Sequence, residues 1–149
     1  MEINVNFLAV GVSGVLAMVI GAVWYGPLFG KKWSEIIGAD KLDDEARKKM
    51  QKSATPLYVV QFLLTLFQAG MLAFLMQYID PKMATVPALV LWLVSTLTLW
   101  ATFVMPTIAA GSMWNNDSAR TAWARFFIQA GCQFVTFAMF AVVLGLWRQ

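Results

Sequence analysis

The side chains in this sequence that could do chemistry inside its hydrophobic stretches are few and neutral. Gln61, Thr65 and Gln68 lie in one apolar run, Ser95, Thr98 and Thr102 in a second, and Gln129, Cys132, Gln133 and Thr136 in a third. Spacings of three and four residues put each set on one helix face. A face of this kind can hydrogen-bond to a neighbouring helix, worth about 0.6 kcal/mol per contact and at most about 2 kcal/mol inside a membrane. Alternatively it can line a path for a small neutral or cationic solute. Counting 1.5 Å per residue from Pro56 and Trp123 puts Gln68 about 18 Å deep and Gln133 about 15 Å deep, with Ser13 and Thr98 also near the midplane. An unpaired amide at that depth costs several kcal/mol, so these faces are expected to meet, with Gln68 and Gln133 pairing across the bundle.

Other chemistry is poorly supplied. The chain has one cysteine, Cys132, and no histidine, which leaves no disulfide framework and none of the usual zinc or haem ligand sets. Cys132 has only apolar and neutral neighbours in sequence and reads as an inert thiol. The run Gly26-Pro27-Leu28-Phe29-Gly30-Lys31-Lys32 superficially matches a phosphate-binding loop. It has too few residues between the glycines, no Ser or Thr after the lysine, and a hydrophobic helix rather than a strand before it. Asn116-Asp117-Ser118 fits a glycosylation acceptor, a pattern common by chance. No Asp, Glu, Lys or Arg lies at the expected depth of the bilayer centre, where proton relays and coupled ion paths place them. No nucleophile and base, carboxylate pair or metal-ligand cluster is visible, so the expectation is a protein without catalysis and without cofactor.

These side chains must be positioned by elements built for lipid. Of the 149 residues 60% are hydrophobic and only 13% charged, which removes the chain from the soluble class. Four apolar runs result, at about 3–25, 56–79, 86–108 and 121–147. Each is long enough for a hydrocarbon core of roughly 30 Å. The fold expected is all-α: an integral membrane four-helix bundle with antiparallel neighbours, forming a single transmembrane domain. The short turn Asp80-Pro81-Lys82 is expected to return the third span beside the second. Pro56 should open the second span, and Pro106 should kink or end the third. The first run lacks a basic leader and has bulky Trp24 and Tyr25 where a cleaved signal would carry small residues, so it is expected to stay.

The polar connector 34–53 has Asp43, Asp44 and Glu45 before Arg47, Lys48 and Lys49, with Leu42, Ala46 and Met50 on one side. It reads either as a short amphipathic helix lying on anionic headgroups or as a solvated linker helix. Trp24, Tyr25, Trp33, Trp123, Arg125 and Trp147 stand at the ends of the runs as interfacial anchors. Ala9, Ser13, Ala17 and Gly21 recur every four residues, a small-residue stripe that packs either within the chain or between two copies in a homo-oligomer. The net charge of +3 does not imply nucleic acid, because seven of the eleven basic residues lie between Lys31 and Lys52. That asymmetry reports topology. By the positive-inside rule the chain is expected in the cytoplasmic membrane with both termini on the non-cytoplasmic side.

The first helix and its exit carry a specific resemblance. Asn6-Phe7-Leu8-Ala9-Val10 and then Gly21-Ala22-Val23-Trp24-Tyr25-Gly26-Pro27-Leu28-Phe29-Gly30-Lys31-Lys32-Trp33 resemble a bacterial membrane family known as domain of unknown function 1761, whose pattern often has serine in the place of Gly26. The remaining two thirds of the chain agree in having three more hydrophobic spans. The resemblance implies a four-helix integral membrane protein and carries no catalytic or binding residue with it. Two functional classes follow: a structural or partner-binding bundle, which the lack of intramembrane charge favours, and a small-solute transporter or channel, which the glutamine faces permit.

Overall fold

The computed structural model describes residues 5–79, 85–115 and 117–147; the turn Asp80-Pro81-Lys82 lies outside them. Among the described residues there is no strand, and four helical stretches are long and apolar enough to cross a membrane: Phe7–Leu28, Asp44–Ile79, Ala88–Met113 and Ala119–Leu146. The first span is α1 (Phe7–Val23), started by Asn6, whose side chain accepts from the Ala9 N–H at 3.1 Å. A short amphipathic helix α2 (Gly30–Ile37) follows and ends at Gly38, which takes the left-handed conformation at φ 74° that favours glycine. The second span is α3 (Asp44–Ile79). The third is divided into α4 (Ala88–Leu99) and α5 (Met105–Met113), and the fourth is α6 (Ala119–Leu146), capped by Ser118, which accepts from the Thr121 N–H.

The spans lie in the spatial order second, first, fourth, third. α6 is the hub, packing on α1 and on both halves of the third span, whereas α3 packs closely only against α1. All these pairs are antiparallel: Val10 faces Gly70, Gly14 faces Leu66, Trp24 reaches Ile128, and Asn6 donates to the Trp147 carbonyl at 3.2 Å. The expected return of the third span beside the second is therefore corrected. Adjacency in sequence is overridden because α1 and α6 offer closer-fitting partners. At each of the three main interfaces a glycine faces a bulky side chain. A Cβ on Gly14 would stand 2.5 Å from Leu66 Cδ2, one on Gly131 2.9 Å from Trp24 Cζ2, and one on Gly145 3.0 Å from Trp92 Cγ. Around these approaches Ala9, Leu72, Met76, Trp92, Phe140 and Leu144 form one core.

Three further expectations change. Connector 34–53 is not one surface helix: its start belongs to α2, and Asp44 to Ser53 are the first turns of the second span. Pro56 lies inside α3 rather than at its start. Proline there deprives the Lys52 carbonyl of its helical donor, which is tolerable because Pro56 is level with Trp24 at the expected edge of the hydrocarbon, where water can serve that carbonyl. At 1.5 Å per residue α3 is about 54 Å long, so its polar turns project well beyond a core of roughly 30 Å. The third span, expected to end at about 108, continues to Met113.

This order is checked by cysteine pairs in a Cys132→Ser background. Val10→Cys with Gly70→Cys should oxidise to an intrachain disulfide in membranes, since a Cβ at Gly70 sits 4.0 Å from Val10 Cγ1. Gln68→Cys with Gln133→Cys should not; the opposite outcome would refute the order.

Candidate functional site

The most constructed part of the molecule is the elbow where the first span leaves the bundle and docks on α6. Beyond Val23 the helix widens into a π-helical turn, Trp24–Leu28, that contains Pro27. Proline supplies no N–H to the previous turn, and two residues on the Phe29 N–H reaches back five residues to the Trp24 carbonyl at 2.9 Å. The chain then folds over itself at Gly30, where a Cβ would lie 2.9 Å from the Tyr25 carbonyl oxygen. Glycine is required there by contact, not by dihedral angle.

The widened turn aims Trp24 inward. Its indole N–H donates to the Ile128 carbonyl on α6 at 2.9 Å, its six-membered ring lies over Gly131, and Phe29 packs on it with ring centroids 4.9 Å apart. Tyr25 packs on Trp33 of α2 at 4.9 Å and reaches Cys132 on α6. Outside the bilayer, Lys32 donates to Glu35 at 2.7 Å, and that hydrogen bond, with the lysine charge, holds the Glu35 carboxyl below its usual pKa. Trp24, Tyr25 and Trp33 are thus parts of one latch, where the sequence suggested only anchors. Trp123 is half-exposed and stacks on Phe127, and Arg125 forms an ion pair with Asp117, which holds its head group more firmly than snorkelling would. Trp147 is half-exposed at the far end, where its carbonyl receives Asn6.

In the third span a second π-helical turn, Trp100–Val104, precedes Pro106. The Met105 N–H bonds the Trp100 carbonyl, five residues back, and the Trp100 ring meets Phe134 edge-on at 5.1 Å. Two π-helical turns therefore grip the same stretch of α6, from Ile128 to Phe134. Such turns are frequent at functional sites.

The polar residues do not converge as their faces suggested. Gln68 and Thr98 are exposed to the surroundings, and Gln68 makes no hydrogen bond to a described residue. Gln61 stays within its own helix, donating to Thr65 Oγ1 at 3.3 Å, while Thr65 donates to the Gln61 carbonyl at 2.8 Å. Gln133 is half-buried with an enclosed Oε1 that meets no donor among the described residues. The pairing of Gln68 with Gln133 fails because α3 packs closely only on α1 and turns Gln68 outward. Gln129 does find a partner across the bundle: Ser112 Oγ donates to its Oε1 at 3.1 Å. Thr136 donates to the Cys132 carbonyl one turn back, and Thr102 to that of Thr98. Ser95 is half-buried, and its neighbour Thr96 takes the inward position. Of the small-residue stripe, Ala9 and Ser13 are fully buried, and Ala17 packs at the margin of the core. Gly21 has nothing near its Cβ position.

Ser112, Thr96, Gly14 and Gly131 were not singled out from the sequence. Ser112 lies beyond Ile108, where the third span was expected to end, and Thr96 is offset by one residue from Ser95 on a helix that is apolar on every side. With Trp92 and Trp100, the side chains Ser13, Thr96 and Gln133 contribute buried polar atoms without a partner among the described residues. All five lie on the first, third and fourth spans.

An all-α arrangement of four membrane-length helices, latched at one end by an aromatic elbow, defines a polytopic membrane protein. Residues 8–145 match the model of the protein family of unknown function DUF1761, and the chain belongs to that family. No curated protein and no solved structure matches it. The elbow lies inside the matched region.

If the latch works by the contact of Trp24 with Gly131, Gly131→Ala should destabilise the folded protein by about 1–3 kcal/mol, as overpacking does. In a Trp24→Leu background the same change should cost much less, because the opposing ring is gone. Thermal or denaturant unfolding of the four proteins in one detergent reads the coupling; additive effects would refute the contact.

Proposed function

We propose that this protein is a non-catalytic module of the bacterial cytoplasmic membrane that acts by binding, holding a basic surface on a rigid base. The observation that most supports this reading is the filled interior. Phe140 and Met76 are completely buried, the spans touch at glycine-lined approaches, and the polar side chains face separate ways instead of lining a common path. The basic surface is at the elbow end. Every Lys and Arg except Lys82 and Arg148 belongs to α2, the projecting turns of α3, their connection, or the start of α6. Antiparallel packing brings these elements together, and the positive-inside rule then supports a cytoplasmic elbow with both termini on the other side. Each Lys or Arg near an anionic leaflet contributes about 1 kcal/mol, so the partners of this surface are anionic headgroups.

A small-solute pathway is the second reading. The five buried polar atoms around α6 favour it, because an opened form of the bundle would give them hydrogen-bonding partners. Proteoliposomes containing the purified protein separate the two. Uptake of glycerol, urea and choline should be no faster than into protein-free vesicles, and uptake that is faster and abolished by Gln133→Leu would establish the pathway instead.

Topology is tested in intact cells on the Cys132→Ser protein. Cysteines placed at Glu2 and Gln149 should react with a membrane-impermeant maleimide and one at Lys49 should not; the reverse labelling would invert the assignment.

A further inference from the structure

The outward face of the second span contains a feature that a purely lipid-facing helix does not need. From Leu57 its exposed positions step alternately by four and three residues through Gln61, Leu64, Gln68 and Met71, and the same step continues to Tyr78. This is a heptad seam, with the two glutamines one repeat apart at equivalent positions. The face that α3 turns toward α1 is a different one, formed by Thr65, Ala69, Leu72 and Met76.

Lipid alone accounts for exposed Leu and Met but not for Gln68. It lies twelve residues beyond Pro56, about 18 Å into the bilayer at 1.5 Å per residue, where an amide without partners costs several kcal/mol. Gln61 relieves part of its own cost through Thr65. Gln68 has no such contact.

We propose that the chain forms a parallel two-fold dimer through this seam, with Gln68 of one copy hydrogen-bonded to Gln68 of the other and Gln61 forming a second rung. Three properties select a second copy as the occupant. First, a glutamine amide holds both donors and an acceptor, so it is complementary to itself. Second, two copies inserted with the same topology are related by an axis along the membrane normal, which brings each seam residue opposite its own equivalent. Third, the projecting turns of α3 are compatible with the pairing. Ala54 and Met50 continue the seam, and Gln51 and Ser53 flank it, while Lys48, Lys49 and Lys52 fall on the other positions of the repeat. Arg47 is the one cation in register with the seam, and its guanidinium is turned back toward the Ala39 and Leu42 carbonyls at 3.4 and 3.5 Å. Like charges are therefore kept off the dimer axis where the helices emerge. Polar residues at such seam positions set register and oligomer state in coiled coils, and interhelical amide bonds have the same effect in membranes. The small-residue stripe of α1 has no part in this dimer, because Ala9 and Ser13 are already buried within the chain. The inference goes beyond the non-catalytic reading and stands independently of it, since a dimer is compatible with either binding or transport.

The test uses the full-length protein, Cys132→Ser, at low density in phosphatidylethanolamine–phosphatidylglycerol vesicles. Copies labelled with donor and acceptor dyes should show energy transfer that declines on dilution with lipid. Gln68→Leu should weaken association by about ten-fold, the scale of one or two intramembrane hydrogen bonds, and Gln68→Asn should recover part of it. Because Gln68 faces outward, helicity and unfolding in detergent should be unchanged by Gln68→Leu, which separates lost pairing from lost folding. Oxidative cross-linking should yield dimer from Met71→Cys on the seam and little from Leu63→Cys, which is more exposed but off it. Four results would overturn the dimer: absent energy transfer, equal cross-linking at both sites, an unchanged affinity for Gln68→Leu, or cross-linking in native membranes only to a different protein. Solute uptake by the same vesicles reports on the non-catalytic reading separately, so either proposal can fail while the other stands.

Discussion

Helices in hydrocarbon have no water to expel from between them, so their association rests on how closely they can approach. Three glycines set that approach here. Gly14 admits Leu66 and joins the second span to the first; Gly131 admits Trp24 and joins the first to the fourth; Gly145 admits Trp92 and joins the third to the fourth. Each gap is filled by a large side chain, so contact is gained without leaving a void. The spatial order of the spans follows from where these glycines face. It gives α6 two such contacts and leaves α3 with one close neighbour.

Proline has a complementary effect. A proline within a span removes one backbone donor, and the chain answers according to depth. At Pro56, level with the expected membrane edge, α3 continues unbroken. At Pro27 and Pro106 the helix widens into a π-helical turn, so that a donor five residues along meets the carbonyl of Trp24 or Trp100. In both cases the carbonyl that accepts the five-residue bond belongs to a tryptophan whose ring packs on α6. The turn that widens the backbone therefore also orients the docking side chain.

The neutral polar residues divide by what the backbone offers them. Hydroxyls return to carbonyls of their own helix, as Thr65, Thr102 and Thr136 do. Glutamines are too long for that to suffice, and each meets a different fate: Gln61 folds onto Thr65, Gln129 meets Ser112, Gln133 is enclosed, and Gln68 faces outward. A single matched layer would have required α3 to touch α6.

Much of the architecture was legible from residue type alone. Apolar run length determines the number of spans, because the bilayer imposes a minimum on any helix crossing it. The basic cluster identifies which connectors share an end, and the Trp24–Trp33 stretch marks the family. What the sequence left open is everything that depends on which face of a uniformly apolar helix meets which neighbour. In soluble proteins amphipathic periodicity answers that question; here both lipid and protein interior are apolar, so the pattern is nearly silent. The tertiary structure alone therefore decided that the second span lies beside the first and not the third, that Thr96 and not Thr98 turns inward, and that Gln68 faces out. It also decided that Trp24 is a latch on Gly131, because that contact joins residues more than a hundred positions apart through a shape fit that neither residue type declares by itself.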